Sequence, residues 1–361
     1  MIQQFQVQGA KDKYIIYNKV LGKGAYGVVL LAKSLNLGSY HAAKIISKKS
    51  LSLSDISNLR NEINIQSQLN HPNIVSMVEA FEDNEYLYML LEYCNGGCLF
   101  QKTQLNGPLR EEKALYYFVQ IVKAVQYLHT KSVLHRDIKL SNLLLTSDDQ
   151  IKVADFTWST SLQGGYVNPQ ICGTLEYMPP EVISNKVQNE KLDVWSLGIV
   201  LYEILHNSFP IVGSLFFKFG ISEECKQLLK QMLENDPNRR PTTSEILYSP
   251  CIRRFNRHKD LSINIIACSK NLQDIQGINQ KSPQMASPLG SPLRTGFGTP
   301  QMNDLGSPLR NRQGSSIGSP FNLGLGSPLG SPLGSPMNSP LANFNKRIST
   351  DPIRLSAQKL V

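Results

Sequence analysis

Apolar residues change their period several times along this chain, and those changes divide it. Alternating positions over Tyr14 to Tyr17, Val28 to Ala32 and Ala42 to Ile46 predict three short strands. From about Asp55 to Leu69 the period lengthens. Ile56, Leu59 and Ile63 then fall at i, i+3 and i+7, which predicts an amphipathic helix with Ser54 as its N-cap. Two more strands lead up to Glu92. Leu115, Phe118, Val122, Val125 and Leu128 stripe a helix from about Arg110 to Thr130, and Ile151 with Val153 marks another short strand. Asp193 to Tyr202 is apolar nearly all round, as a helix through the middle of a fold must be. Strands gather first and helices after them, so the expected class is α+β, with a small β-rich lobe and a larger helical one.

The patterning stops near residue 270. Beyond it the chain is mostly Ser, Pro, Gly, Leu and Asn, which buries too little surface to offset the entropy of ordering. Three segments are therefore expected: a polar leader at 1–13, a folded domain at 14–256, and a disordered tail at 257–361. Ten Ser-Pro or Thr-Pro pairs occur between Ser282 and Ser339, many in a Leu-Gly-Ser-Pro repeat. Proline-directed kinases are the expected partners of that tail. The plainer reading, a spacer, stands beside it.

Charge sharpens this division. The net charge is +9, and Lys270 to Val361 holds nine Lys or Arg against three Asp or Glu, so the tail carries +6. Each phosphate adds about −1.5 to −2 charges, so about four would cancel it. No basic run is dense enough to name nucleic acid as a partner. The six cysteines lie at no metal-ligand spacing, and reduced thiols are the default. No apolar run approaches the roughly 20 residues of a membrane span, so a soluble protein of the cytoplasm or nucleus is expected.

The candidate chemistry is concentrated between His135 and Glu181. His135-Arg136-Asp137-Ile138-Lys139-Leu140-Ser141-Asn142 sets a carboxylate able to accept a hydroxyl proton five residues before an amide oxygen able to hold a metal, with a lysine between them for a phosphate. Thirteen residues after Asn142 comes Asp155, a second metal-ligand candidate. Upstream, Leu21-Gly22-Lys23-Gly24-Ala25-Tyr26-Gly27-Val28-Val29 places G-x-G-x-x-G between two strands, whereas a dinucleotide fingerprint needs a helix immediately after it.

Together these motifs resemble a eukaryotic protein kinase. The wording Ala154-Asp155-Phe156-x-Trp158-Ser159, and then Cys172-Gly173-Thr174-Leu175-x-Tyr177-x-Pro179-Pro180-Glu181, resembles the Aurora family of Ser/Thr kinases in particular. The resemblance implies ATP and Mg2+. Asp137 is then the base, Lys139 and Thr174 its companions, and Asn142 and Asp155 the metal ligands. Lys44 steadies the phosphates and pairs with Glu62 of helix C. Leu21, Gly22, Lys23, Gly24, Ala25, Tyr26, Gly27, Val29, Ala42 and Leu144 line the nucleotide. Leu91 is the gatekeeper, with Glu92 and Cys94 in a hinge at about 92–97. Asp193 should bond the catalytic-loop backbone, and Glu181 should pair with Arg240.

The chain also departs from that family. Thr157 replaces the glycine of D-F-G, and a β-branched residue there stiffens the segment. Gln170 stands where Auroras carry a phosphorylated threonine, and Asn61 where they usually have an arginine. Only about a dozen residues separate Phe209 from Ser222, so helix G is expected to be missing or cut to a turn. Of the carboxylates that would read arginine before a phosphosite, Glu203 alone remains. The first expectation is an active Ser/Thr kinase acting on protein substrates in cell division, at the spindle, centrosome or basal body. It would be constitutively competent or switched by an activator protein that seats helix C. A pseudokinase or ATP-binding scaffold with the tail as docking platform stays open on sequence alone.

Overall fold

The computed structural model describes residues 4–24, 26–211 and 213–258. Its first lobe is a six-stranded antiparallel sheet of β1 (Gln4–Gln8), β2 (Lys13–Lys23), β3 (Gly27–Ser34), β4 (Tyr40–Ser47), β5 (Met77–Glu82) and β6 (Tyr86–Glu92), in the order β1-β2-β3-β4-β6-β5. Residues 1–13 were expected to be a leader, yet Gln4–Gln8 pairs with Lys13–Tyr17 and adds an edge strand. The reason lies in its alternation, because Phe5 and Val7 pack on the cluster of Tyr14, Ile16 and Tyr88 while the glutamines between them face out. The sheet also curls round. Glu79 of β5 accepts the amides of Ala10 and Lys11, from the β1–β2 turn, at 2.9 and 3.0 Å, and the Tyr14 hydroxyl at 2.6 Å.

Helix α1 (Leu53–Ser67) is the expected amphipathic helix, shifted by about two residues. Its N-cap is Ser52, not Ser54. The Ser52 hydroxyl caps the Asp55 amide while the Asp55 carboxylate accepts the Ser52 amide, a reciprocal box that Ser54 has no acidic partner to form. Leu59, Glu62, Ile65 and Gln66 are its buried face.

The second lobe comprises α2 (Leu99–Asn106), α3 (Glu111–Thr130), the short strands β7 (Val133–Leu134), β8 (Leu143–Leu145), β9 (Ile151–Val153) and β10 (Thr160–Ser161), then α4 (Pro180–Ile183), α5 (Lys191–His206), α6 (Glu223–Met232), α7 (Thr243–Leu247) and α8 over 250–258. Leu192 to His206 of α5 is buried without a break, and α3 lays its apolar stripe on it. The ion pair of Glu181 with Arg240, at 2.6 and 2.8 Å, is buried beside Trp195. Among the described residues 207–221 form no helix. Leu215, Phe217 and Ile221 anchor that stretch to the core, and Phe216, Phe219 and Ile211 stay exposed. The helix over 250–258 carries the fold two residues past the expected boundary at 256. The tail from 259 and its Ser-Pro repeats lie outside the described residues. No helix among those described is long and apolar enough to cross a membrane.

Candidate active site

Between β7 and β8 the chain must turn sharply, and Arg136 does so at a positive φ of 63°. Asp193, fully buried at the start of α5, holds the turn by accepting the amides of His135 at 3.1 Å and Arg136 at 2.9 Å, and it meets His129 Nε2 at 3.0 Å. Burial pushes the Asp193 carboxyl up, but His129 and the bonded amide outweigh it and hold it below its ordinary value.

This turn presents Asp137. Its carboxylate accepts the Thr174 hydroxyl at 2.7 Å and the Asn142 amide at 3.1 Å, and it pairs with Lys139 Nζ at 2.8 Å. Lys139 donates in turn to the Thr174 oxygen at 2.7 Å, which closes a triangle. Thr174 reaches the loop because Gly173, at φ 94°, lies flat on it; a Cβ there would collide with the Arg136 carbonyl. Asn142 spends its NH2 on the carbonyl and carboxylate of Asp137, which turns its Oδ1 away from them.

The second cluster joins the lobes. Lys44 Nζ lies 2.6 Å from Glu62 Oε1 and 3.8 Å from Asp155 Oδ1. Burial pulls the Lys44 ammonium down in pKa, but the two carboxylates more than offset this and raise it. Burial likewise pushes Asp155 up, and Lys44 with the Thr157 hydroxyl overcomes that, leaving its carboxyl below the ordinary range. The Thr157 hydroxyl sits between all three groups, 3.2 Å from Lys44, 3.1 Å from Glu62 and 2.6 Å from Asp155. It accepts from the lysine and gives its one proton to a carboxylate. From the sequence, only the stiffness of this β-branched residue was legible.

Strand register sets Val29 beside Lys44 and Ala42 beside Leu91. Leu144 lies on β8 opposite Lys152, whose ammonium holds Glu92 at 2.7 Å. The Cys94 thiol is half-buried and pushed up to about 12, chiefly by burial. Leu21 and Lys23 end β2, and Gly24 bonds the Gly27 carbonyl at 2.9 Å to close the glycine loop. A Cβ at Gly22 would meet no protein atom within 4 Å, and one at Gly24 none nearer than 3.9 Å, which leaves a cradle open to phosphate oxygens. Tyr26 packs on Ile46, Leu59 and Met89 with its hydroxyl facing Asn58 and Asp55, and so clamps the loop to α1. Ala25 lies outside the described residues.

Two further relationships join residues far apart in the sequence. Arg136 donates from Nε to the Trp158 carbonyl at 2.6 Å and from Nη1 to Gln170 Oε1 at 3.1 Å, while Gln188 holds the Gln170 carbonyl at 2.8 Å. Asn61 donates to the Ser159 carbonyl at 2.8 Å, tying α1 to the same segment. Amides thus fill the places where only a missing phosphosite and a missing cation were legible. Glu203, the expected reader of basic peptides, is buried and accepts the Tyr177 hydroxyl, and burial raises its carboxyl. Its charge is not free at the surface.

A carboxylate fixed by a lysine and a threonine, an amide oxygen and an aspartate poised as ligands, and a lysine–glutamate pair under an open glycine loop make up the constellation of a phosphoryl-transfer site. The protein kinase domain family matches residues 15–252, and the chain belongs to that family. Aurora kinases are among its relatives. It is 37% identical to an Aurora kinase of Dictyostelium discoideum, over 67% of this chain and 67% of that protein, and 36% identical to Aurora kinase A-B of Xenopus laevis, over 64% and 60%. Against an Aurora kinase of Eremothecium gossypii the identity is 34%, over 65% and 68%. The match to the Xenopus laevis protein thus spans less than two thirds of that relative's length.

Proposed function

We propose that this chain transfers the γ-phosphoryl group of ATP to serine or threonine hydroxyls of proteins. The observation that carries the reading is the closed triangle of Asp137, Lys139 and Thr174. It fixes one carboxylate to orient an incoming hydroxyl and take its proton, and keeps a positive charge beside the transferred phosphate. Lys44, locked by Glu62, would steady the other phosphates. Asn142 and Asp155 offer the hard oxygen donors that Mg2+ prefers, and the ion would neutralise phosphate charge there.

Glu62 already reaches Lys44, and Gln170 already engages Arg136. Both contacts support a kinase competent without loop phosphorylation and without a partner that seats α1. Kinship with Aurora kinases supports a role in cell division, in the cytoplasm or nucleus, with the Ser-Pro tail as a target of proline-directed kinases.

The test compares labelled-phosphate transfer from ATP·Mg to a basic protein substrate by the wild-type chain and by Asp137→Asn. Transfer that disappears in the variant is expected. No transfer from either, with ATP still bound, would turn the reading toward a nucleotide-binding scaffold.

A further inference from the structure

Outside the kinase site, the first turn of α3, the start of α6 and the helix over 250–258 meet at a cluster that phosphoryl transfer does not use. A carboxylate oxygen of Glu111 and the sulfurs of Cys225 and Cys251 all lie within 4.8 Å of one another. Both thiols are buried. Ser222 aims the carboxylate, its amide donating at 2.6 Å and its hydroxyl at 2.7 Å. A cavity of 480 Å³ opens beside the cluster, lined by Glu111, Ser222, Cys251, Arg254 and His258 among others.

Three groups that would repel one another if ionised therefore converge at the foot of the helical lobe. The hydrogen bond that Cys225 makes to Cys251, burial and the charge of Glu111 all push the Cys225 thiol upward. A divalent cation reverses that balance, because a coordinating thiol is deprotonated outright.

We propose that Cys225, Cys251 and Glu111 form a metal site that takes Zn2+, with the fourth coordination position open to the cavity. Thiolates select a borderline-soft ion such as Zn2+ over the hard Mg2+ that accompanies ATP. Zinc bonds of about 2.3 Å to sulfur and about 2.0–2.2 Å to oxygen in a tetrahedron set ligand atoms roughly 3.5–3.8 Å apart. Side-chain rotations of about an ångström close the present spacing to that. Binding releases one proton from each thiol and changes no oxidation state. The bonds to the Ser222 amide and hydroxyl orient the carboxylate from behind, as partners of metal ligands commonly do. No spacing motif announces the site, because its ligands come from helices widely separated in sequence.

The full chain, reduced, stripped of metal and held in excess Mg2+, is titrated with Co2+. One equivalent should give a thiolate charge-transfer band with tetrahedral visible bands, and Zn2+ should abolish both. The bands should vanish in Cys225→Ser/Cys251→Ser and persist in Cys94→Ser/Cys98→Ser. Glu111→Gln, which keeps an acceptor for Ser222, should weaken Co2+ binding about tenfold or more. Absence of the bands overturns the proposal, and so does their survival without Cys225 and Cys251. Should that double variant fail to fold, unchanged Co2+ affinity in Glu111→Gln overturns it alone. A two-hydrogen mass deficit joining Cys225 to Cys251 before reduction, with no bands after it, makes the pair a disulfide and also overturns the site. None of these readouts depends on kinase activity.

Discussion

Arg136 donates from its guanidinium to the side-chain oxygen of Gln170 across 3.1 Å. A neutral amide thus anchors the activation segment to the catalytic loop. Phosphatase-treated protein should keep its full rate. Gln170→Ala should lower kcat/KM about fivefold, as expected for an exposed bond to a charged donor worth about 1 kcal/mol. Steady-state kinetics on treated and untreated samples checks this, and a rate that depends on phosphate at Thr160 or Ser161 would sink it.

Thr157 places a hydroxyl among Lys44, Glu62 and Asp155. Thr157→Val keeps the β-branch and removes only that hydroxyl. Losing a buried bond to charged partners costs about 1–3 kcal/mol, so kcat should fall roughly tenfold and the Mg2+ requirement should rise, with Thr157→Ser restoring both. A valine variant as fast as the wild-type chain, with the serine variant slower, would show that stiffness alone matters at this position.

These two residues mark the limit of what the sequence shows. The lobes, Asp137, Lys44 with Glu62, and the Glu181–Arg240 pair could be read from motifs because residue type and spacing there leave few arrangements. Gln170 and Thr157 were visible only as departures, since what an amide or hydroxyl bonds depends on neighbours far off in the chain. Ser52 displaced Ser54 as a cap for a related reason: both are serines two residues apart, and only the Asp55 carboxylate decides between them. The strand at Gln4–Gln8 was missed because its five residues carry just two apolar side chains.

Glu203 titrates above its ordinary value of 4.5 because it is buried, with the Tyr177 bond opposing. The stability it contributes is therefore full below about pH 4.5 and lost as pH rises through its folded value. At neutral pH it is a net cost. Glu203→Gln, which still offers Tyr177 an acceptor, should raise Tm by about 2–4 °C at pH 7, on the order of 1 kcal/mol, and by nothing near pH 4. Thermal melts across that range decide it; a gain independent of pH would assign the effect to packing.

Removing Glu79 leaves the Tyr14 hydroxyl and the amides of Ala10 and Lys11 without their acceptor. Glu79→Ala should destabilise the domain by about 2–3 kcal/mol. Gly9→Val should do likewise, since a Cβ at Gly9 would stand 2.5 Å from the Glu79 carboxylate. Denaturant unfolding of both variants, and of a chain lacking residues 1–8, checks whether this segment belongs to the fold. Unchanged midpoints would return it to the status of a leader.

The Glu79 contacts also impose an order in time. The β1–β2 hairpin turns within a few residues, whereas the bonds from Glu79 to Lys11 and Ala10 span 68 and 69 positions. Closing so long a loop costs roughly 2.5 kcal/mol more entropy than closing a turn of about four residues. The earliest strand must therefore wait, paired only with its neighbour, until β5 has been made and ordered beside β6. By this loop entropy the curl of the sheet is expected to close late in folding, after the strands between its two edges have found one another.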